Sequence, residues 1–197
     1  MPVHTIHEII SRFEQGLEAE MKQRKVRLPY ACCMSTEGLD GFPNARFVSL
    51  KEVRDNCFVV TGTFSSRKGA EIRHNPKVAL TFWWPETEQQ VRIQGTVTEL
   101  PVALADRYFA ERNRESRIVS VVSDQGQELM DLSDLTHRFD AMEASVQDEI
   151  LRPENWCAYA IEPVRIEFLV FSESRFHDRT LYERRGEGQW VMRRLQP

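Results

Sequence analysis

The chain has no long apolar run. Nothing in its 197 residues approaches the roughly 18 that a membrane helix needs, and its polar start lacks a signal-peptide core. No membrane partner and a cytoplasmic location are therefore expected. Positive charge is not in excess: 26 Lys and Arg stand against 30 Asp and Glu, a net charge of −4, which speaks against non-specific nucleic-acid binding. Cysteine is scarce. Cys32, Cys33, Cys57 and Cys157 form no C-x-x-C, the first two sit in an apolar run that suits core packing, and a reducing compartment fits. His4, His7, His74 and His137 show no zinc spacing, so no metal site is expected. G-x-G-x-x-G and G-x-S-x-G are missing, as are repeats and Gly/Ser linkers, and the length suits one domain.

What is present begins with a helix. Thr5 is its cap and Glu8 the capping-box partner. Ile6, Ile9, Ile10, Phe13, Leu17 and Met21 form a stripe for a core or a partner. Glu18, Glu20, Lys22, Arg24 and Lys25 are expected to form the solvated end, with Pro29 as the stop. Residues 1–28 thus read as an N-terminal amphipathic helix, and 29–197 as the main domain.

Tyr30–Ser35 reads as a strand and residues 36–44 as a loop. Arg46–Lys68 reads as a strand, an Asp55-Asn56 turn and a second strand opening into a helix at Ser65-Ser66. That helix start, with Arg67 and Lys68 and with Arg46 and Lys51 on the neighbouring strand, is either an anion site suited to phosphate or a capped surface helix. Asn75-Pro76 ends the helix. Val78–Trp84 and Gln90–Glu99 read as strands, and Pro101 opens a helix carrying Leu104, Ala105 and Tyr108.

If that helix persists, Tyr108, Arg112 and Ser116 share a face that could hold a phosphate or simply meet water. A polar stretch follows, then Ile118–Val122. Leu129–Ile150 reads as a helix with Leu132, Leu135, Phe139, Met142 and Val146 on one stripe. Trp156–Phe171 allows two strands or one bent strand. Residues 175–197 read as a hairpin about Gly186-Glu187-Gly188, with Arg175, His177 and Arg179 alternating on one strand face. That face needs an anion, or is a charged barrel edge. Trp83, Trp84, Trp156 and Trp190 suit a core or a flat cofactor. Strands outnumber helices, so an antiparallel barrel or sandwich with flanking helices is expected.

Eight stretches then carry a resemblance: R-F-V-S-L-K, V-T-x-x-x-S-S-R-K, N-P-K-V-A-L, Q-Q-V-R-I-Q-G, Y-F-A-E-R-N-R-E-S, R-P-E-N-W, R-F-H-D-R and the closing R-R-L-Q-P, with the spacing that joins them. From about Tyr30 to Pro197 the chain resembles the FMN-dependent pyridoxamine 5′-phosphate oxidases. The resemblance implies a mainly β, Greek-key-like split β-barrel with a helical insertion at 101–150, paired as a homodimer with FMN in the interface. By position it implies that Arg46, Phe47, Val48, Ser49, Leu50, Lys51, Val60, Thr61, Ser66, Arg67 and Lys68 line the FMN. Gln90, Gln125, Gly126, Trp156 and Arg179 complete that site, some from the second subunit. It implies a substrate phosphate on Lys51, Tyr108, Arg112 and Ser116, with Arg175 and His177, the catalytic pair, over the substrate ring and Phe176 beside them. The implied reaction oxidises pyridoxamine or pyridoxine 5′-phosphate with dioxygen. The related flavin oxidases of phenazine biosynthesis, whose substrates carry no phosphate, are the alternative, as is a flavin-binding split barrel without turnover.

Overall fold

The computed structural model describes residues 3–145, 149–186 and 188–197; Val146 of the expected stripe and Glu187 of the expected turn lie outside them. Ten strands and five helices make up the described chain: β1 (Val3–His4), α1 (Ile6–Lys22), β2 (Ala31–Glu37), β3 (Pro43–Ser49), β4 (Glu52–Arg54), β5 (Cys57–Thr63), α2 (Arg67–His74), β6 (Lys77–Trp84), β7 (Gln89–Glu99), α3 (Val102–Ala110), α4 (Arg114–Val122), α5 (Leu132–Ser145), β8 (Trp156–Val170), β9 (Asp178–Arg185) and β10 (Gln189–Leu195). Every pairing is antiparallel, in the order β1-β10-β9-β8-β7-β6-β2-β3, with β5 between β4 and β8.

The sheet closes on itself because of one long strand. β8 is a single bent strand: its first residues, Trp156–Ile161, pair with β5, and its last, Arg165–Val170, pair with β9. The bend falls where the ladder to β7 shifts register between Gln94 and Gly95. Pro163 has no N–H to give the ladder there. Gly95 lets the backbones close up, since a Cβ on it would lie 2.4 Å from the Glu162 carbonyl oxygen. Bulges of this kind turn a flat sheet into a barrel wall.

The helix α1 packs its apolar face onto the barrel core. Its capping box forms as expected between Thr5 and Glu8. Ile9, Ile10, Phe13 and Leu17 are buried, and the Phe13 ring lies 5.0 Å from Phe58, 5.1 Å from Phe82 and 5.5 Å from Trp84. The stripe therefore covers this chain's own core. Trp84 and Trp190 also pack there, while Trp83 is exposed.

Several local readings are corrected. The helix α1 ends at Lys22, well before Pro29, because Arg24 adopts a left-handed backbone (φ 54°) that stops propagation. Glu20 is fully buried, not solvated: it accepts hydrogen bonds from the backbone N–H groups of Glu86 and Thr87 and from the Thr87 hydroxyl. Met21, in turn, is exposed. Residues 36, 37, 43 and 44 are strand, so the β2–β3 loop is a short turn. β3 pairs with β2; the hairpin at Asp55-Asn56, both with positive φ, joins β4 to β5. The stretch after Arg112 is the helix α4, and α5 is shorter than 129–150. Phe139 and Met142 of α5 rest on a second small core built from Val59, Phe109, Ile118 and Trp156.

Because Phe13 touches three aromatic rings, Phe13→Ala should cost about 3–5 kcal/mol from lost burial and the cavity left behind. Equilibrium urea unfolding measures it, and a loss below about 1 kcal/mol would show that α1 is not part of the cooperative core.

Candidate functional site

A cavity of about 790 Å³ opens between β3, β5, the start of α2 and the face of α4. Four cationic side chains line it, Arg46, Lys51, Lys68 and Arg112, and none of the described lining residues is acidic. Each cation is held by its own local device.

Lys68 is placed by the cap of α2. The Ser66 hydroxyl donates to the Thr63 carbonyl (2.6 Å) and accepts from the Gly69 N–H and from Lys68 Nζ (3.1 Å). The side chain then lies across Gly62, where a Cβ would meet Lys68 Cε at 2.5 Å and push the lysine end from this path. Nζ also donates to Gln125 Oε1 at 2.8 Å, which accepts a second bond from the Thr63 hydroxyl at 3.1 Å. Burial, and then the charge of Arg46, push the Lys68 ammonium down to about 8.

Arg46 is fixed by a buried carboxylate. Its Nη2 donates to Glu71 Oε2 at 2.8 Å, and its Nη1 donates to the Met34 carbonyl and the Thr36 hydroxyl. Glu71 has no exposed surface and accepts from four donors, Thr36, Asn44, Arg46 and Arg67. Burial acts to raise its pKa, but these hydrogen bonds prevail and keep it below the usual carboxylate range.

On the far wall, Arg112 Nη2 donates to the Ser116 carbonyl at 3.2 Å, and the guanidinium lies 5.3 Å from the Trp156 ring centre. Burial lowers its pKa. Burial, and next the charge of Arg112, lower that of Lys51. Cations gathered on one partly desolvated wall make a site for an anion with several oxygens.

Of the residues named from the sequence, the cavity wall gathers Arg46, Phe47, Val48, Ser49, Lys51, Thr61, Lys68, Arg112, Ser116, Gln125 and Trp156. Leu50, Val60 and Ser66 are buried behind it. Gly126, with φ 90°, adjoins Gln125 without lining the cavity. Arg67 faces the β2–β3 turn, paired with Asp40 and Glu71. Gln90 lies on β7 opposite Trp83 and Leu169, away from the cavity. Arg179 faces a second hollow beside Arg92, bonded to Glu167 and to the Gln196 carbonyl.

Two geometric premises do not hold. The helix carrying Tyr108 does not persist to Ser116: α3 ends at Ala110, and Asn113 caps α4 by accepting from the Ser116 N–H at 2.9 Å. Tyr108 is buried and its hydroxyl is spent on Glu52, while Arg112 and Ser116 still reach the cavity from the turn and from α4. Residues 175–177 are not strand either; β9 starts at Asp178. Arg175 sits at φ 67° with its N–H on the Ser172 carbonyl, and His177 Nδ1 accepts from the Ser172 N–H, so the segment is a self-bonded turn. Arg175 and Phe176 project from it, Phe176 with 81% of its surface exposed. Sequence reasoning missed Thr63, Asn113, Ser120 and Ser123. The i, i+4, i+7 spacing of Ser116, Ser120 and Ser123 was the available signal, and it needs the α4 helix to be read.

Comparison with known proteins gives consistent matches. A family model described as pyridoxamine 5′-phosphate oxidase matches residues 17–147, and one described as the pyridoxine 5′-phosphate oxidase C-terminal dimerisation region matches 156–197. A pyridoxine/pyridoxamine 5′-phosphate oxidase of Thermosynechococcus vestitus is 43% identical over 86% of this chain and 80% of its own. One from Haemophilus influenzae is 39% identical over 98% of this chain and 92% of its own. Among solved structures, PhzG from Burkholderia lata in complex with tetrahydrophenazine-1-carboxylic acid superposes with a TM-score of 0.91 at 29% identity, covering 95% of this chain and 92% of that one.

The protonation of Lys68 gives the cavity a pH signature. An anion binds the ammonium form, and in the free protein that form is lost as pH rises through about 8. A phosphate monoester is a dianion above its second pKa of about 6, so its affinity should hold between about pH 7 and 8 and fall above pH 8, by up to about tenfold per pH unit. Titrations from pH 6 to 9.5 test this; a flat profile would show that Lys68 does not face the anion.

Proposed function

This chain belongs to the pyridoxamine 5′-phosphate oxidase family, and we propose on that premise that it oxidises pyridoxamine and pyridoxine 5′-phosphates to pyridoxal 5′-phosphate with FMN as its cofactor. The observation that carries the reading is the acid-free wall with its four cations. Two phosphate-bearing molecules, cofactor and substrate, need that many donors, and the donor set fits them. Arg46 and Lys68, with the Ser66 cap and Gln125, form one anion-binding end suited to the FMN phosphate. Lys51, Arg112 and Ser116 form the other, suited to the substrate phosphate. FMN, when bound, supplies the electron acceptor, and dioxygen is its oxidant, giving hydrogen peroxide.

The protein's part is orientation. Phosphates anchored at both ends of one cavity bring two flat rings face to face, which is most of what hydride loss from an aromatic methylamine or methanol carbon requires. With the amine substrate, water then replaces nitrogen and ammonia leaves. Trp156 and Arg112 form a flat stacked wall beside the substrate end. The described cavity is open on one side, and Arg175, Phe176, His177, Gln90 and Arg179 lie outside it. In our reading the chain is a homodimer, consistent with its match to a dimerisation region, and these residues serve the cavity of the partner. Tyr108 acts through Glu52, which it shares with Arg107, so its contribution is to position the Arg112 turn.

Anaerobic mixing of the FMN-loaded protein with pyridoxamine 5′-phosphate should bleach the flavin absorbance. No bleaching with either B6 phosphate, but bleaching with a dihydrophenazine carboxylic acid, would transfer the protein to the phenazine type. In Arg112→Ala the Michaelis constant for pyridoxamine 5′-phosphate should rise roughly ten- to a hundredfold, while that for unphosphorylated pyridoxamine stays near the parent value. Equal losses on both substrates would place Arg112 in the fold instead.

A further inference from the structure

Arg67 opens α2 directly before Lys68, yet it is turned away from the cavity. Two carboxylates hold it there. Its Nε donates to Glu71 Oε1 at 3.0 Å, and its Nη2 donates to Asp40 Oδ2 at 2.9 Å. The two differ in kind. Glu71 is buried and fixed by three other donors, whereas Asp40 stands on the β2–β3 turn with 54% of its side chain exposed. Asp40 is nonetheless aimed. Its Oδ1 accepts from the Phe42 N–H at 3.2 Å, and the turn is closed by bonds from Gly38 N–H to the Phe42 carbonyl and from Gly41 N–H to the Gly38 carbonyl. That leaves Oδ2 directed at the guanidinium. The first turn of α2 has no acidic residue of its own, so the turn between two strands delivers the negative charge that sits beside this helix start.

We propose that Asp40 is an intramolecular competitor of the cofactor phosphate: it holds Arg67 away from the anion end of the cavity and thereby sets how tightly FMN is bound. The inference rests on the reading of that end as the FMN phosphate site. An exposed ion pair is weak and screened by water, so a phosphate dianion held by Arg46 and Lys68 can draw Arg67 off Asp40. Glu71 restrains Nε throughout, so what changes hands is the Nη2 edge, a short swing and not a rearrangement of α2. The carboxylate left behind, exposed and unpaired, still opposes the negative charge of the phosphate through partly screened space.

Asp40→Asn tests this cleanly, because the amide oxygen can keep the Phe42 N–H bond while the charge is lost. Dissociation constants of the apoprotein for FMN and for riboflavin, from quenching of flavin fluorescence, separate phosphate effects from ring effects. Asp40→Asn should bind FMN about three- to tenfold more tightly with riboflavin unchanged. The gain should vanish in the Arg67→Ala background, as a double-mutant cycle would record. Unchanged or weaker FMN binding, or an equal change for both flavins, overturns the proposal while leaving the FMN site intact. A gain that survives Arg67→Ala overturns the role of Arg67. A parent protein that binds neither flavin overturns the FMN site and this proposal with it.

Discussion

Like charges brought together out of water repel, and this structure gathers four of them around one hollow. Everything near the cavity answers that constraint. Glu71 neutralises Arg46 from behind, where its carboxylate cannot compete for a ligand. The Ser66 hydroxyl and the Gln125 amide oxygen hold Lys68 without charge. The aromatic face of Trp156 supports Arg112. The scaffold's acids are kept out of the wall, so the repulsion that remains is available to an incoming anion.

Much of the fold was legible because its signals are local. The Thr5–Glu8 capping box, the Asp55-Asn56 turn and the Ser66 cap each depend on neighbours in sequence, and each appears in the structure. What could not be read is what depends on distant partners. Glu20 looks like one more surface acid until the backbone N–H groups of residues 86 and 87 are brought to it. The partner of β3 is its neighbour β2, hidden because the strand ends at residues 36, 37, 43 and 44 are polar or turn-forming and read as loop.

The site divides along the same line. The cations of the anion end were visible as a run after a helix cap, and the wall holds Arg46, Lys51 and Lys68 together. Helical spacing misled at Tyr108, because Asn113 offers the backbone a competing bond and restarts the helix. Strand spacing misled at Arg175, because a left-handed residue turns the chain before the strand begins. Arg67 is the subtlest case. Its charge was counted from sequence, but its direction is set by Asp40 and Glu71, one from a turn 27 residues earlier and one from a turn of helix later.

The bend at Gly95 and Pro163 has a consequence in time as well as in shape. β8 is hydrogen-bonded to β7 on one edge along nearly its whole length, and on the other edge first to β5 and then to β9. A strand paired on both edges over most of its length opens only together with its neighbours, so its amides are expected to exchange through large cooperative openings. Trp156 at one end, beside the cavity, and the turn after Val170 at the other are thus the two ends of a single kinetic unit. The slow clock of the molecule runs through this strand, while the β2–β3 turn that carries Asp40 keeps a faster one.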